Sequence, residues 1–181
     1  NNRITVTSGG SLNAVGTSQD TIRFLGEQAV GGYWDGLEFE TVNAANELTY
    51  TEIAHGGDAG LANVYVTGSG AVTITQSRIH DSSQEGVEMA TGGSLAGFSQ
   101  NTFADNPDGA VRVPVGNLGD LDNTSVYGAG TTGLFIDAYS GTVSTAQTWP
   151  KTDVPVLLSG NTSVAAAVTV EIVGLEDALR D

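Results

Sequence analysis

Carboxylates dominate the reactive side chains of this chain. Asp and Glu number 21 against six Lys and Arg, with two His and no Cys, for a net charge of −15. Two carboxylates at a fixed separation can hydrolyse a glycosidic bond, one protonating the leaving oxygen while the other activates water or attacks. Carboxylates gathered in turns can hold Ca²⁺, a hard cation that takes oxygen ligands. The absence of Cys excludes disulfides, thiolate metal sites and thiol nucleophiles. The acidity opposes nucleic acid and anionic lipid surfaces, whose phosphates attract Lys and Arg. No nucleic-acid partner is expected. No 18-residue apolar run is present, so no membrane insertion is expected either.

Several positions could carry such chemistry. Glu38, Tyr65, Glu88, Arg112 and Phe135 are the central residues of "LEF", "VYV", "VEM", "VRV" and "LFI". If those triplets are aligned strands, the five form one outward column. That column could serve as a glycan face with Tyr65 and Phe135 as stacking surfaces; the plainer alternative is a mixed, solvated sheet surface. In this register Glu88 and Arg112 are neighbours, and an exposed pair of that kind contributes roughly 0–1 kcal/mol. Calcium candidates are Asp105 and Asp108 in "ADNPDG" and Asp120 and Asp122 in "GDLDN". Neither turn matches an EF-hand loop or a GGxGxD nonapeptide, and Asp in tight turns often caps its own backbone. Calcium is therefore the one cofactor considered, and no catalytic residue is assigned. His55 aligns with Asp81 and Asp105, whereas His80 aligns with Ala54 and Ala104, so no shared histidine site is expected. Trp34 and Trp149 read as packing anchors.

The elements that must position these residues are set by a repeat. "ITVTSGGSLNA" from Ile4, "VYVTGSGAVTI" from Val64, "VEMATGGSLAG" from Val87 and "LFIDAYSGTVS" from Leu134 share an apolar pair, a turn glycine and a second apolar start. "GAVRV", with Val111 and Val113, is a fifth copy of the first strand. The steps from Val64 to Val87, Val111 and Leu134 are 23, 24 and 23 residues. A second phrase, Φ-x-x-[Ser/Thr/Asn]-x-Φ, occurs at 48–53, 74–79, 98–103 and 121–126 and closes on Ile53, Ile79, Phe103 and Val126. A fixed period in that range signals a solenoid. Each period holds three short β segments parted by Gly, Asn or Asp, too short for a crossover helix. Strands of successive coils must then stack in parallel about 4.8 Å apart, with inward residues forming apolar ladders. The fold class read from this pattern is all-β, a parallel β-helix of about six to eight rungs of roughly 23–26 residues.

"SQNTFADN", "TQSRIHDSS" and "GYWDGLEF" resemble right-handed parallel β-helix repeats of the pectin-lyase-like class, most closely the non-catalytic repeats of bacterial secreted and surface proteins. The resemblance implies an extracellular or cell-surface location. Enzymes of that class are lyases, which hold Ca²⁺ on carboxylates and abstract a proton with Arg or Lys, or hydrolases with paired aspartates. Here Arg112 is the one basic candidate on the face, a uronate substrate would meet a strongly acidic protein, and no paired-aspartate motif is found. Catalysis is not expected, and a glycoside hydrolase or polysaccharide lyase remains the alternative.

The two ends read as parts of one run. "EIVGLEDALRD" followed by "NNRITVTSGGSL" would continue the β-helix without a break. Residues 1–181 are expected to form one β-helix domain that is one period of a head-to-tail array, covalent or stacked. Its joining residues would be Ile4, Val6 and Leu12 at one end and Val168, Val170 and Ile172 at the other. The chain starts "NNRITV" without Met and is read as a mature product or a segment of something longer. The competing expectation is a cap from residues 175–181, with Leu175, Ala178 and Leu179 on one face. The function expected is a structural or adhesive extracellular module; a carbohydrate-binding or carbohydrate-degrading β-helix is the alternative. Partners would be its own copies end to end, or glycans.

Overall fold

Strands of three to six residues follow one another through turns too short for a helix, so each can pair only with its counterpart one coil away. The computed structural model describes residues 2–129 and 134–173, and all strand pairings within them are parallel. The first rung is β1 (Arg3–Val6), β2 (Asn13–Val15) and β3 (Ile22–Leu25). The second is β4 (Gly36–Phe39), β5 (Glu47–Thr49) and β6 (Thr51–Ala54). The third is β7 (Val64–Val66), β8 (Ala71–Thr75) and β9 (Arg78–His80), and the fourth β10 (Val87–Met89), β11 (Ser94–Ser99) and β12 (Thr102–Ala104).

The fifth coil departs from the pattern. After β13 (Val111–Pro114) a 3₁₀ segment, Val115–Asp120, takes the place of the second strand, and the third is reduced to a single bridge between Thr102 and Val126. Regular coiling resumes with β14 (Ile136–Tyr139), β15 (Gly141–Val143) and β16 (Gln147–Trp149), then β17 (Val156–Leu158), β18 (Thr162–Val164) and β19 (Val170–Ile172). The longest sheet runs β1-β4-β7-β10-β13-β14-β17. Seven strands in one sheet make about six turns of an all-β parallel solenoid, within the expected range.

Inward positions form the apolar ladders that alternation demands. One runs Ile4, Leu37, Val64, Val87, Val111, Ile136, Val156, and another joins Ile53, Ile79 and Phe103. Corners recur at fixed places. Tyr50, Gln76 and Gln100 adopt φ of 50°, 51° and 57°, and His55, Asp81 and Asp105 adopt 66°, 50° and 54°. Left-handed backbone is uncommon for residues other than Gly; its repetition coil after coil makes it the device that turns one sheet into the next. A polar ladder accompanies the first of these corners. The amide and hydroxyl of Thr51 donate to Ser77 Oγ (3.1 and 2.9 Å), the Ser77 amide to Asn101 Oδ1 (3.1 Å), and the Asn101 amide to Ser125 Oγ (3.0 Å). Side chains thus satisfy corner N–H groups that no strand can.

Two expected alignments are corrected. Val111 pairs with Ile136, not Leu134, so the outward residue beside Arg112 is Asp137, not Phe135. Phe135 precedes β14, half-buried against the Gly109 turn. A slip of two residues keeps every side chain on its own face, so the hydrophobic pattern does not register it. The second phrase ends one residue late in its last copy. Val126 is 44% exposed, and the fully buried Tyr127 takes the inward place, stacked on Phe103 with ring centroids 5.6 Å apart. The cap expected at 175–181, with Leu175, Ala178 and Leu179, lies outside the described residues.

Candidate functional site

The outward column of the longest sheet carries one residue per rung: Thr5, Glu38, Tyr65, Glu88, Arg112, Asp137 and Leu157. Parallel stacking holds these side chains about one strand spacing apart. Sequence placed Glu38, Tyr65, Glu88 and Arg112 in this column, and the structure brings them together there.

Each half of the column centres on an arginine. Arg3 lies between Glu38 (Nη1–Oε2, 2.5 Å) and Asp35 (Nη2–Oδ2, 3.3 Å), and the Thr5 hydroxyl donates to Glu38 Oε2 at 3.2 Å. Arg112 donates to Glu88 Oε1 (2.8 Å) and Asp137 Oδ2 (3.1 Å), lies 3.8 Å from Glu85, and packs 5.2 Å over the Tyr139 ring. The Tyr139 hydroxyl donates to the Met89 carbonyl at 3.0 Å, which fixes the ring under the guanidinium. The expected Glu88–Arg112 pair is therefore one edge of a larger cluster. Asp35, Glu85, Asp137 and Tyr139 were not singled out from sequence. Asp35 and Glu85 enter from the connections before their strands, and Asp137 and Tyr139 were displaced by the two-residue slip.

Glu85, Glu88 and Asp137 share Arg112. Burial pushes the Glu85 carboxyl above the usual range and Glu88 adds to it, while Arg112 opposes. Burial likewise raises Glu88 against the pull of Arg112. Burial raises the Tyr65 phenol, with Glu88 and Glu38 adding to it. Burial disfavours the charge on Arg112, but Glu88, Glu85 and Asp137 outweigh it and hold the guanidinium protonated more firmly. Asp35 Oδ1 and Asp137 Oδ1 are buried without a hydrogen-bond partner among the described residues. Chemically, the face offers two carboxyls, Glu85 and Glu88, that protonate more readily than usual, and an aromatic surface.

The remaining candidates disperse. Asp122 spends its carboxylate on the Thr124 amide (2.7 Å), the Thr124 hydroxyl and the Ser125 hydroxyl (2.5 Å). Asp120 accepts from Asn117 Nδ2 at 2.8 Å, and Asp105 and Asp108 are exposed on a different turn. The four do not converge, and among the described residues no three His, Asp or Glu side chains are placed to hold a metal. Asp122 caps its own turn. His55 and His80 occupy different columns, as aligned, although their rings lie 6.3 Å apart. His80 sits between Glu52 (Nε2, 3.1 Å) and Asp81 (Nδ1, 2.5 Å). Arg23 (3.0 Å) and Arg78 (3.6 Å) also pair with Glu52. Trp34 is an anchor as expected: it is buried, and its indole donates to the Ala54 carbonyl at 2.9 Å.

The ends form a second kind of site. Among the described residues β17, β18 and β19 each pair on one side only, as do β1, β2 and β3. Ladder residues there stay exposed: Ile4 at 41%, Leu158 at 53% and Ile172 at 53%. Val6, at the same end as Ile4, is buried, and Leu12, Val168 and Val170 are partly so. A cavity of about 210 Å³ is lined by Leu118 and Leu121 of the fifth coil together with Ile136, Trp149, Val156 and Ile172 of the last two. The indole N–H of Trp149 is buried beside it without a partner among the described residues.

Neither the curated proteins nor the solved structures yield a match to this chain. A family model described as the right handed beta helix region matches residues 35–149, which spans β4 to β16 and more than half of the chain. The stacked parallel coils and that match agree, and the chain belongs to the right-handed β-helix family.

Proposed function

We propose that this β-helix is a structural module that extends end to end, building a rigid rod or fibre outside the cell. The observation that carries this reading is the matched pair of ends. Among the described residues the three strands of the first rung and the three of the last pair on one side only, with Ile4 exposed at one end and Val156, Leu158, Val164 and Ile172 at the other. An edge of this kind is a template for another chain. Solenoid stability is a sum of coil and neighbour terms, so adding coils costs no new core design. The resemblance to repeats of secreted and surface proteins favours the extracellular setting. Analytical ultracentrifugation over a hundredfold range of concentration tests the reading. Species at multiples of 18.5 kDa, seen as rods by electron microscopy, are expected. A single 18.5 kDa species throughout would overturn it.

A second reading rests on the outer column. Tyr65 flanked by Glu38 and Glu88 suits the hydroxyls and apolar faces of a neutral glycan. Calorimetric titration with neutral oligosaccharides tests it: binding that Tyr65→Ala abolishes supports a glycan face, and no heat at millimolar sugar removes it. Release of reducing ends that Glu88→Gln stops would extend the reading to hydrolysis.

A further inference from the structure

We propose that the last rung receives the first rung of a second copy in one register. Val156 and Leu158 lie under Ile4 and Val6, Ile172 lies under Phe24, and Glu171 lies beside Arg23. This rests on the end-to-end reading and specifies its joint.

The register follows from ladders already in place. Val156 ends the column that Ile4 begins, and Leu158 ends the column that contains Val6 and Phe39, through its pairing with Ala138. Placing β1 of a second copy one strand spacing beyond β17 continues both columns and sets Thr5 beside Leu157 on the outer face. In the third sheet Phe24 heads the inward column of Ile53, Ile79 and Phe103, and Arg23 heads the outward one. On β19 the exposed Ile172 pairs with the cavity-lining Trp149, and Glu171 is the outward residue beside it. Setting Ile172 against Phe24 brings Glu171 next to Arg23.

Charge supports the same polarity. Two of the six basic residues, Arg3 and Arg23, lie on the first rung, and Arg23 is two-thirds exposed although it pairs with Glu52. Glu171 is the sole charged residue from Val156 to Ile172. A head-to-tail joint therefore sets a cation against an anion. Tail to tail would set Glu171 against Glu171, and head to head Arg23 against Arg23. Apolar residues on the last rung are largely exposed, with Leu157 at 46% and Val164 at 49% beside Leu158 and Ile172. A second copy would cover them and close the cavity.

The chain contains no Cys, so paired cysteines test the register cleanly. Six strand steps separate β1 from β17, or roughly 29 Å at about 4.8 Å per strand, far beyond disulfide reach within one copy. Adjacent parallel strands fall within that reach. Thr5→Cys with Leu157→Cys should oxidise to a ladder of multimers in SDS. Thr5→Cys with Glu171→Cys, in different sheets, should give at least tenfold less. Arg23→Glu and Glu171→Arg should each weaken association roughly two- to fivefold, and the double exchange should restore it. Circular dichroism checks that each variant stays folded.

A ladder from neither pair, with wild-type chain still assembling, overturns this register and leaves the end-to-end reading in place. Wild-type chain that never assembles overturns both. Assembly that appears only once residues 174–181 are deleted overturns the proposal for the full chain, because that segment would then be the occupant of the last rung.

Discussion

The middle coils and the last coils follow the same local pattern, yet they differ in what surrounds it. In β4 to β12 each ladder residue has a neighbour above and below. Leu37, Leu48, Ile53, Val64, Ile74, Ile79, Val87 and Phe103 are accordingly almost wholly buried. In β17 to β19 the corresponding side chains have a neighbour on one side only among the described residues, and Val156, Leu158, Val164 and Ile172 remain between 37% and 53% exposed. On the last rung burial thus follows the adjacent coil, whereas on the first rung Val6 and Ala14 are buried with a strand neighbour on one side. The polar groups show the same contrast. Asn101 and Asn106 donate to carbonyls one coil back at 2.8 and 3.1 Å, while the Trp149 N–H near the end has no partner among the described residues.

Truncation of a ladder residue should expose this difference most strongly. Phe103→Ala should cost about 3–5 kcal/mol, the range for emptying a packed aromatic site. Leu158→Ala in the dilute chain should cost less than about 1 kcal/mol, since its side chain is half in water already. Urea denaturation of both variants checks the ratio, and equal losses would mean that the last coil is covered. Next in size is Asn101→Ala, which strands the Ser77 amide and the Ile74 carbonyl inside the corner. A loss of about 1–3 kcal/mol is expected, against none measurable for the exposed Asn161→Ala.

The smallest expected effect belongs to the outer column, and its sign depends on pH. Glu85 has a raised carboxyl in the folded state, so the fold binds that proton more tightly than the unfolded chain does. Its contribution to stability is present below the unfolded value and is lost as pH rises through the folded one. Glu85→Gln should therefore raise the melting temperature at pH 7 by about 1–2 °C, with the gain shrinking towards pH 4. A loss at pH 7 would show that attraction to Arg112 outweighs burial.

How much of this was legible depended on which features leave a mark at period two. The columns through Val64, Val87 and Val111 were readable because alternation and spacing agree over those coils. The shift to Ile136 was not, since moving two residues preserves each face. Tyr127 was missed because Leu121 and Val126 fit the apolar frame as well as the correct residues do. Side-chain clusters were less legible still. Glu88 and Arg112 share a column and could be paired from sequence, whereas Asp35 and Glu85 approach from connections whose paths no repeat specifies. The turn acids were ambiguous for another reason: Asp122 looks the same in sequence whether it binds a cation or caps Thr124 and Ser125.

The most direct test of extension through the ends is amide hydrogen exchange at low and high protein concentration. Amides of β1–β3 and β17–β19 should gain protection on concentration, while those of the middle coils and the outer column around Tyr65, Glu88 and Arg112 stay unchanged. Terminal amides that exchange at the same rate at every concentration would contradict the account, as would protection that appears first on the outer column.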